Sequence, residues 1–197
     1  MIITNIKNLL KKWIKGDLRD LYWNIYGVTI RNPRRTGHPE SFLFVCKGNI
    51  NRSPFAEHLA GKLVGNTLIE EATFYSGGLN VSRSTPPPKE AILAAESFGV
   101  QLNGHRSRGI NREMIESFDM IVAMETWQLQ ALKKSFPKYK DKAYLLPLFD
   151  TQEGAKRHGF SRYNIQDPYG RSLDEFRVCF QRIKRCIEGL FEEIERQ

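Results

Sequence analysis

The sequence has few cysteines and no long apolar run. Three of its 197 residues are cysteines, an odd number that argues against a disulfide-bonded secreted scaffold and favours a reducing compartment. The longest apolar candidates, Ser41 to Cys46 and Tyr144 to Phe149, are six residues each, whereas a membrane span needs roughly 18. Lysines at positions 7, 11, 12 and 15 interrupt any signal-peptide core. The sequence therefore predicts a protein of the cytoplasm.

Internal repeats and low-complexity tracts are also absent. A hydrophobic content of 41% supports one medium-sized core, because a chain of this length buries roughly 70% of the surface that it exposes when unfolded. The net charge is +8, of which residues 1–40 carry +5. The basic residues lack the interleaved aromatics or recognition-helix pattern of a nucleic-acid binder. We therefore expect no nucleic-acid partner.

The change in charge near residue 40 divides the chain into an extension, residues 1–40, and a larger domain, residues 41–197. The extension has apolar residues at helical spacing, with lysines on another face, which predicts a partly amphipathic basic helix; the apolar positions are 2, 3, 6, 9, 10, 13 and 14. A second apolar stripe begins at Leu18, and residues 31–39 are typical of a linker. Three roles stay open for residues 1–30: packing on the domain, contact with an anionic membrane as a peripheral protein, or contact with a protein partner.

After residue 40, short β-rich runs alternate with helical patterns. The predicted strands are Phe42 to Val45, Thr73 to Ser76, Asp119 to Ala123 and Ala143 to Leu146, and the predicted helices are Pro54 to Val64, Pro88 to Phe98, Thr126 to Ser135 and Leu173 to Ile194. This alternation predicts an α/β fold, a small four-stranded parallel sheet with helices on both faces. Ligands of such sheets bind at the carboxyl ends of the strands, so the loops there are the candidates for a site.

The first predicted strand leads into a segment suited to a phosphate group, Cys46-Lys47-Gly48-Asn49-Ile50-Asn51-Arg52-Ser53-Pro54. Gly48 and Asn49 tolerate unusual backbone angles, and Pro54 suits the first turn of a helix. The loop can therefore turn its N–H groups inward and combine them with a helix N-terminus as an anion site. Arg52 adds a planar fork that matches two phosphate oxygens. The same positive field favours the thiolate of Cys46, which is a nucleophile.

Spacing alone does not define such a site, because Cys179 is also followed by an arginine six positions later, Arg185. That pair lies in a strong helical pattern that cannot curl around an anion, and Cys179 and Cys186, seven apart, are expected to be buried packing residues. The nine residues from Cys46 contain the parts of a cysteine-dependent phosphatase site, and such an enzyme also needs a proton donor for the departing oxygen. Asp167, fixed by Pro168 in a turn-rich segment after the last predicted strand, suits that role.

Together these motifs resemble the low-molecular-weight protein tyrosine phosphatase family. The segment Cys46 to Glu57 follows a predicted strand, and Asp167-Pro168-Tyr169 comes much later, so the match in order and spacing covers about residues 41 to 195. Three intermediate blocks also resemble the family: Tyr75 to Gly78, His105 to Arg108 and Phe118 to Met124. The resemblance implies a cysteine-dependent phosphatase domain over residues 41–197 that acts on tyrosine-phosphorylated proteins.

The resemblance also implies a role for each site residue. Cys46 attacks phosphorus, and Asp167 protonates the leaving phenol and then activates water. Arg52 and the loop hold the phosphate oxygens, so no metal or other cofactor is needed. The remaining residues bind the substrate or support the loop: Lys47, Gly48, Ile50 and Asn51 in the loop, Ser53 beside the thiolate, Tyr169 at the entrance, and Asn49, Ser76 and His105 as braces.

Two features depart from the family pattern. Family members usually carry a second cysteine directly before the arginine, and Asn51 stands there instead, so no neighbouring thiol can trap an oxidised Cys46. The extension over residues 1–40 is absent from the family core.

Other functions remain open from the sequence. A relative on the same fold that dephosphorylates arginine resembles this loop except for a threonine at Ile50, whose apolar side chain favours an aromatic leaving group. Arsenate reductases share the fold, but Cys179 and Cys186 are poorly placed to relay a disulfide. A phosphate-recognising binding module is the non-enzymatic alternative, and the intact set of Cys46, Arg52 and Asp167 argues against it.

Overall fold

A parallel sheet forms the centre of the molecule. The computed structural model describes residues 18–35, 37–65, 67–150 and 158–196; the amphipathic helix predicted from positions 2–14 lies outside these ranges. The sheet contains β1 (Ser41–Cys46), β2 (Thr73–Gly78), β3 (Met120–Ala123) and β4 (Ala143–Leu145) in the order β2-β1-β3-β4, with every pair parallel. The predicted α/β fold is confirmed. All four strands lie within two residues of their predicted bounds.

Seven α-helices surround this sheet in the described ranges. Residues 18–26 form α1, and the others are α2 (Arg52–Leu63), α3 (Lys89–Glu96), α4 (Arg112–Ser117), α5 (Thr126–Ser135), α6 (Gly159–Tyr163) and α7 (Leu173–Glu195). The periodic apolar pattern predicted α2, α3, α5 and α7. It missed α4 and α6, because helices of six and five residues are too short to repeat an apolar position.

Alternate residues of β1 face two different cores. Phe42 and Phe44 belong to a cluster with α2, α3 and α7, whereas Leu43 and Val45 belong to a cluster with α5 and β4. This alternation is what a strand covered on both faces requires. Burial of the central strand therefore fixes the position of the residue that ends it, Cys46.

Helix α7 contributes the largest share of one core. It begins with a capping box in which Ser172 and Glu175 each bond the other's backbone N–H, and the Phe180 ring stacks on Phe55 of α2 with centroids 3.9 Å apart. Cys179 and Cys186 are buried on this helix, as predicted. Burial raises the pKa of the Cys179 thiol to about 12, so this thiol stays protonated near neutral pH.

The segment predicted as a linker is held against the edge of the sheet. The backbone N–H of Leu145 donates to Asn32 Oδ1 at 2.7 Å, and Asn32 Nδ2 donates to the Leu145 carbonyl at 3.3 Å. Arg35 Nη2 also donates to the Glu193 carbonyl at 3.3 Å. The described part of residues 31–39 contains no helix or strand, but it covers an otherwise open edge of β4. Within the described ranges, no helix is long and apolar enough to cross a membrane.

Candidate active site

The loop after β1 encloses the thiol of Cys46. Asn49, at φ 52°, is the one non-glycine residue with positive φ in the described ranges, and its backbone N–H points back to Cys46 Sγ at 3.2 Å. Ser53 Oγ donates to the same sulfur at 3.0 Å. Cys46 is 2% exposed. Two donors therefore converge on a buried sulfur, an arrangement that stabilises a thiolate.

A close approach of β2 supports the loop from beneath. The backbone N–H of Leu79 donates to the Cys46 carbonyl at 3.0 Å, so the pairing of β1 and β2 continues into the loop. A Cβ at Gly78 would lie 3.0 Å from the Lys47 carbonyl oxygen and 3.1 Å from the Asn49 nitrogen. Only glycine lets the two segments approach this closely.

Asn49 also braces the loop through its side chain. Its Nδ2 donates to Ser53 Oγ at 3.0 Å and to Ser76 Oγ at 2.7 Å. Its Oδ1 accepts the backbone N–H of Arg108 at 3.0 Å, and its carbonyl lies 2.9 Å from His105 Nε2. The structure thus brings Asn49, Ser76 and His105 together, and the strained conformation of Asn49 is held by several partners at once.

Two further residues in this network were not singled out from the sequence. Arg108 Nη2 donates to both carboxylate oxygens of Glu57 at 2.9 Å, and its Nε donates to the Ser76 carbonyl at 2.9 Å. Ser76 Oγ donates to Glu57 in turn. The guanidinium also stacks on the Tyr75 ring, 3.5 Å from its centroid. Arg108 lies in a block that resembles the family, and that block was the available signal.

His105 gives a testable dependence of stability on pH. Burial lowers the pKa of His105 from its ordinary value of 6.5, so between the two values the unfolded chain binds more protons than the folded one. Stability contributed by neutral His105 is therefore present above pH 6.5 and is lost as pH falls through the folded pKa. We expect the free energy of unfolding in urea to decrease between about pH 7.5 and about pH 5.5.

The His105→Gln variant should lose part of this pH dependence, and His38→Gln, which changes an exposed histidine, should retain it. An identical pH slope in wild type and His105→Gln would show that the prediction is wrong.

Arg52 lies at the centre of three acceptors. It is 1% exposed; its Nη1 donates to Glu125 and, at 2.7 Å, to the Ile165 carbonyl, and its Nη2 donates to Asp167 Oδ2 at 2.7 Å. Burial alone would lower the pKa of Arg52, but the charges of Asp167, Cys46 and Glu125 outweigh burial and raise it. The guanidinium is therefore a permanent positive charge beside the sulfur.

One donor of Arg52 remains available. Its Nε is buried and makes no hydrogen bond within the described residues, so this N–H can donate to a ligand oxygen without loss of a protein contact. Glu125 was not predicted as a site residue. Its position directly beyond β3, at the carboxyl edge of the sheet, is a signal that could have identified it.

Asp167 lies across the site from the loop. Its Oδ1 accepts from Asn51 Nδ2 and from the backbone N–H of Tyr169, both at 3.1 Å, and its side chain is 33% exposed. Asn51, which replaces the usual second cysteine, thus contacts the carboxylate directly. Tyr169 is 64% exposed at the rim.

The rest of the predicted set lies along the loop: Lys47 is exposed, and Gly48 and Ile50 are half-buried. In the described part of the chain, no cluster of three or more His, Cys, Asp or Glu side chains could hold a metal ion.

Comparison with known proteins places this geometry in a family. The model of the low molecular weight phosphotyrosine protein phosphatase family matches residues 41–197. The chain belongs to this family. A low molecular weight phosphotyrosine protein phosphatase from Sus scrofa is 30% identical over an alignment of 162 residues that covers 79% of this chain and 96% of the relative.

Solved structures of the family share the fold of this phosphatase. The YwlE arginine phosphatase from Geobacillus stearothermophilus matches with a TM-score of 0.67 at 25% identity, covering 80% of this chain and 94% of that one. Wzb from Vibrio vulnificus in complex with benzylphosphonate matches with a TM-score of 0.66 at 25% identity, covering 78% and 98%. One of these structural relatives is thus named an arginine phosphatase, and the other was solved with benzylphosphonate bound.

Proposed function

We propose that this phosphatase hydrolyses phosphotyrosine in proteins through a phosphocysteine intermediate. The observation that carries the proposal is the convergence of Cys46, Arg52 and Asp167: two donors contact the Cys46 sulfur, and Arg52 Nη2 contacts the Asp167 carboxylate. A nucleophile, an anion-binding group and an acid within one site are the parts that transfer of a phosphoryl group to cysteine needs.

In the first step, the Cys46 thiolate attacks phosphorus and the bond from phosphorus to the phenol oxygen breaks. The electron pair stays on that oxygen, which takes a proton from Asp167. Arg52 holds two of the non-bridging oxygens through Nε and Nη2, so its Nη2 exchanges Asp167 for the phosphate. This exchange frees the carboxyl of Asp167 for the leaving group.

In the second step, water attacks the phosphorus of phosphocysteine and gives its proton to the Asp167 carboxylate. The bond from sulfur to phosphorus breaks, and the Cys46 thiolate leaves with inorganic phosphate as the product. Ser53 Oγ and the Asn49 N–H stabilise the departing thiolate. The enzyme returns to its starting state with Asp167 protonated.

Two residues at the entrance support tyrosine as the substrate residue. Ile50 is half-buried in the loop and offers apolar contact to an aromatic ring, whereas a guanidinium favours a polar partner. Tyr169 presents an exposed ring at the rim, where offset stacking on phosphotyrosine is favourable.

A paired substrate experiment tests this proposal. We expect the full chain to release phosphate from a phosphotyrosine peptide with a kcat/KM about tenfold or more above that for a phosphoarginine peptide of the same flanking sequence, the discrimination that one apolar contact gives. Vanadate should inhibit the reaction. The Ile50→Thr variant should show a smaller ratio of kcat/KM for the phosphotyrosine peptide to kcat/KM for the phosphoarginine peptide. Faster turnover of phosphoarginine would favour the arginine phosphatase alternative. Binding of the peptide without phosphate release would favour a binding module.

We also propose that residues 41–197 are the phosphatase domain and that residues 1–40 hold it at an anionic membrane surface. The described face of α1 supports the membrane contact, because Leu18, Leu21 and Ile25 are 60%, 56% and 68% exposed. The sequence before α1 adds lysines at positions 7, 11, 12 and 15. Apolar side chains beside a basic segment are the combination that binds anionic lipid.

Sedimentation with lipid vesicles measures this contact. Phosphatidylserine-containing vesicles should retain the phosphatase and phosphatidylcholine vesicles should not. Salt and Ile25→Asp should both weaken the binding. The control Val178→Asp changes an equally exposed apolar residue on α7 and should have no effect. Failure to bind either vesicle would contradict the membrane proposal and favour a protein partner for this face.

A further inference from the structure

Helix α6 begins without a cap of its own. His158, the residue before it, makes no side-chain capping bond. Instead, the backbone N–H of Gly159 donates to Asn24 Oδ1 at 2.7 Å and that of Phe160 donates to Asp20 Oδ1 at 3.0 Å. Asp and Asn are the residue types that satisfy the free N–H groups at a helix start. Here they come from α1 of the extension, more than 130 residues earlier in the chain.

The contact between α1 and α6 is closely packed. Trp23 lies edge-on to Phe160, with ring centroids 5.7 Å apart, and is 6.0 Å from Tyr163. A Cβ at Gly27 would lie 2.1 Å from the Tyr163 ring, and a Cβ at Gly159 would lie 2.6 Å from Asp20. Gly159 also has φ +59°, where glycine is favoured. Both sides of the contact therefore carry a glycine at the point of closest approach.

Helix α6 leads directly into the segment that holds Asp167. Asn164, the residue after α6, accepts from the backbone N–H and the hydroxyl of Thr126 at 2.9 and 2.8 Å and donates to the Phe160 carbonyl at 2.9 Å. The next residue, Ile165, bonds Met124 through its N–H at 3.0 Å and Arg52 through its carbonyl at 2.7 Å. Asn164 therefore joins the end of α6 to the backbone two residues before Asp167, so the positions of α6 and of that backbone are linked.

We propose that Asp20 and Asn24 are positioning residues for the general acid: by capping α6, the extension sets the place of Asp167 relative to the leaving oxygen. The inference rests on the proposed function, because it assumes that Asp167 protonates the leaving group. It gives α1 a role in the reaction that is separate from any membrane contact, since Asp20 and Asn24 lie on the face of the helix toward α6, whereas Leu21 and Ile25 lie on the exposed face. Detachment of α1 would slow protonation of the leaving group without removing the nucleophile.

The test uses the full chain with Asp20→Ala and Asn24→Ala combined, and compares kcat/KM for aryl phosphates with leaving groups of different acidity. For phenyl phosphate, a poor leaving group, we expect a loss of roughly 10- to 100-fold, because misplacement of a group by about 1 Å costs up to about 10²-fold. For 2,4-dinitrophenyl phosphate, which needs little protonation, we expect a loss below about threefold. The conservative pair Asp20→Asn and Asn24→Asp, which keeps the acceptors, should stay near wild type.

Matched control variants distinguish an effect on the position of Asp167 from a general loss of protein stability. Leu21→Ala and Ile25→Ala change the exposed face of the same helix and should leave both rates unchanged. An equal loss for both substrates in the capping variant would overturn the proposal, since it would indicate general destabilisation, and no loss for either would also overturn it. If the double variant does not fold, Asn24→Ala alone provides the same comparison. If Asp167→Asn itself shows no dependence on the leaving group, the proposed function fails rather than the capping of α6.

Discussion

Replacement of Cys46 with serine is expected to reduce the turnover of an aryl phosphate by about 10⁴-fold or more, the order of loss that follows removal of a covalent nucleophile. The hydroxyl would lie where two donors, the Asn49 N–H and Ser53 Oγ, stabilise a thiolate. These donors cannot ionise a serine near neutral pH, and no other described group lies within hydrogen-bond distance of the sulfur to act as its base. Steady-state release of inorganic phosphate measures the loss.

The same variant should still bind the anion. Arg52 and the loop amides remain in place, so inorganic phosphate should raise the unfolding temperature of Cys46→Ser and of wild type by similar amounts. Cys186→Ala is the matched control, because it removes a buried thiol from α7 far along the chain from the loop, and it should keep most of the activity. Substantial activity in Cys46→Ser would overturn the phosphocysteine mechanism.

The loop could be predicted because its signal is local. A buried strand, a thiol, residues that tolerate unusual backbone angles, and an arginine before a helix all lie within nine consecutive residues. The β-α alternation around it also depends on short-range patterns, which is why the sheet and the longer helices matched. Local residue types and periodicity thus carry most of the information about this part of the molecule.

The acidic and basic partners of the loop could not be predicted in the same way. Glu57 and Arg108 are 51 residues apart, and Glu125 is 73 residues from Arg52. Each is a residue type common on protein surfaces, and each acquires its role only when the chain folds. Sequence spacing gives no measure of such distances.

The contact between α1 and α6 illustrates the same limit more strongly. Helix α6 has five residues, too few for a periodic pattern, and its caps come from positions 135 and 140 residues away. The apolar stripe that begins at Leu18 predicted a helix there but not which face would pack. The structure assigns Trp23 to the contact with α6 and leaves Leu21 and Ile25 exposed.

Asp167→Asn is the second variant with a large expected effect. Asparagine keeps an oxygen that can accept from Arg52 and Asn51, so the fold of the site should persist while the proton donor is lost. We expect kcat/KM for a phosphotyrosine peptide to fall by roughly 10² to 10⁴-fold, the usual contribution of a general acid. Initial rates of phosphate release over a range of peptide concentrations measure this fall.

The dependence of the loss in kcat/KM on the leaving group distinguishes proton donation by Asp167 from a purely electrostatic role. In the structure the carboxylate is also the ion-pair partner of Arg52, so its removal could act through the guanidinium alone. An effect through Arg52 would change the binding of the phosphate oxygens and would lower kcat/KM equally for every aryl phosphate. Loss of the proton donor would instead spare 2,4-dinitrophenyl phosphate, because its leaving group departs without protonation. A uniform loss would therefore assign Asp167 to the support of Arg52 and remove it from the chemistry.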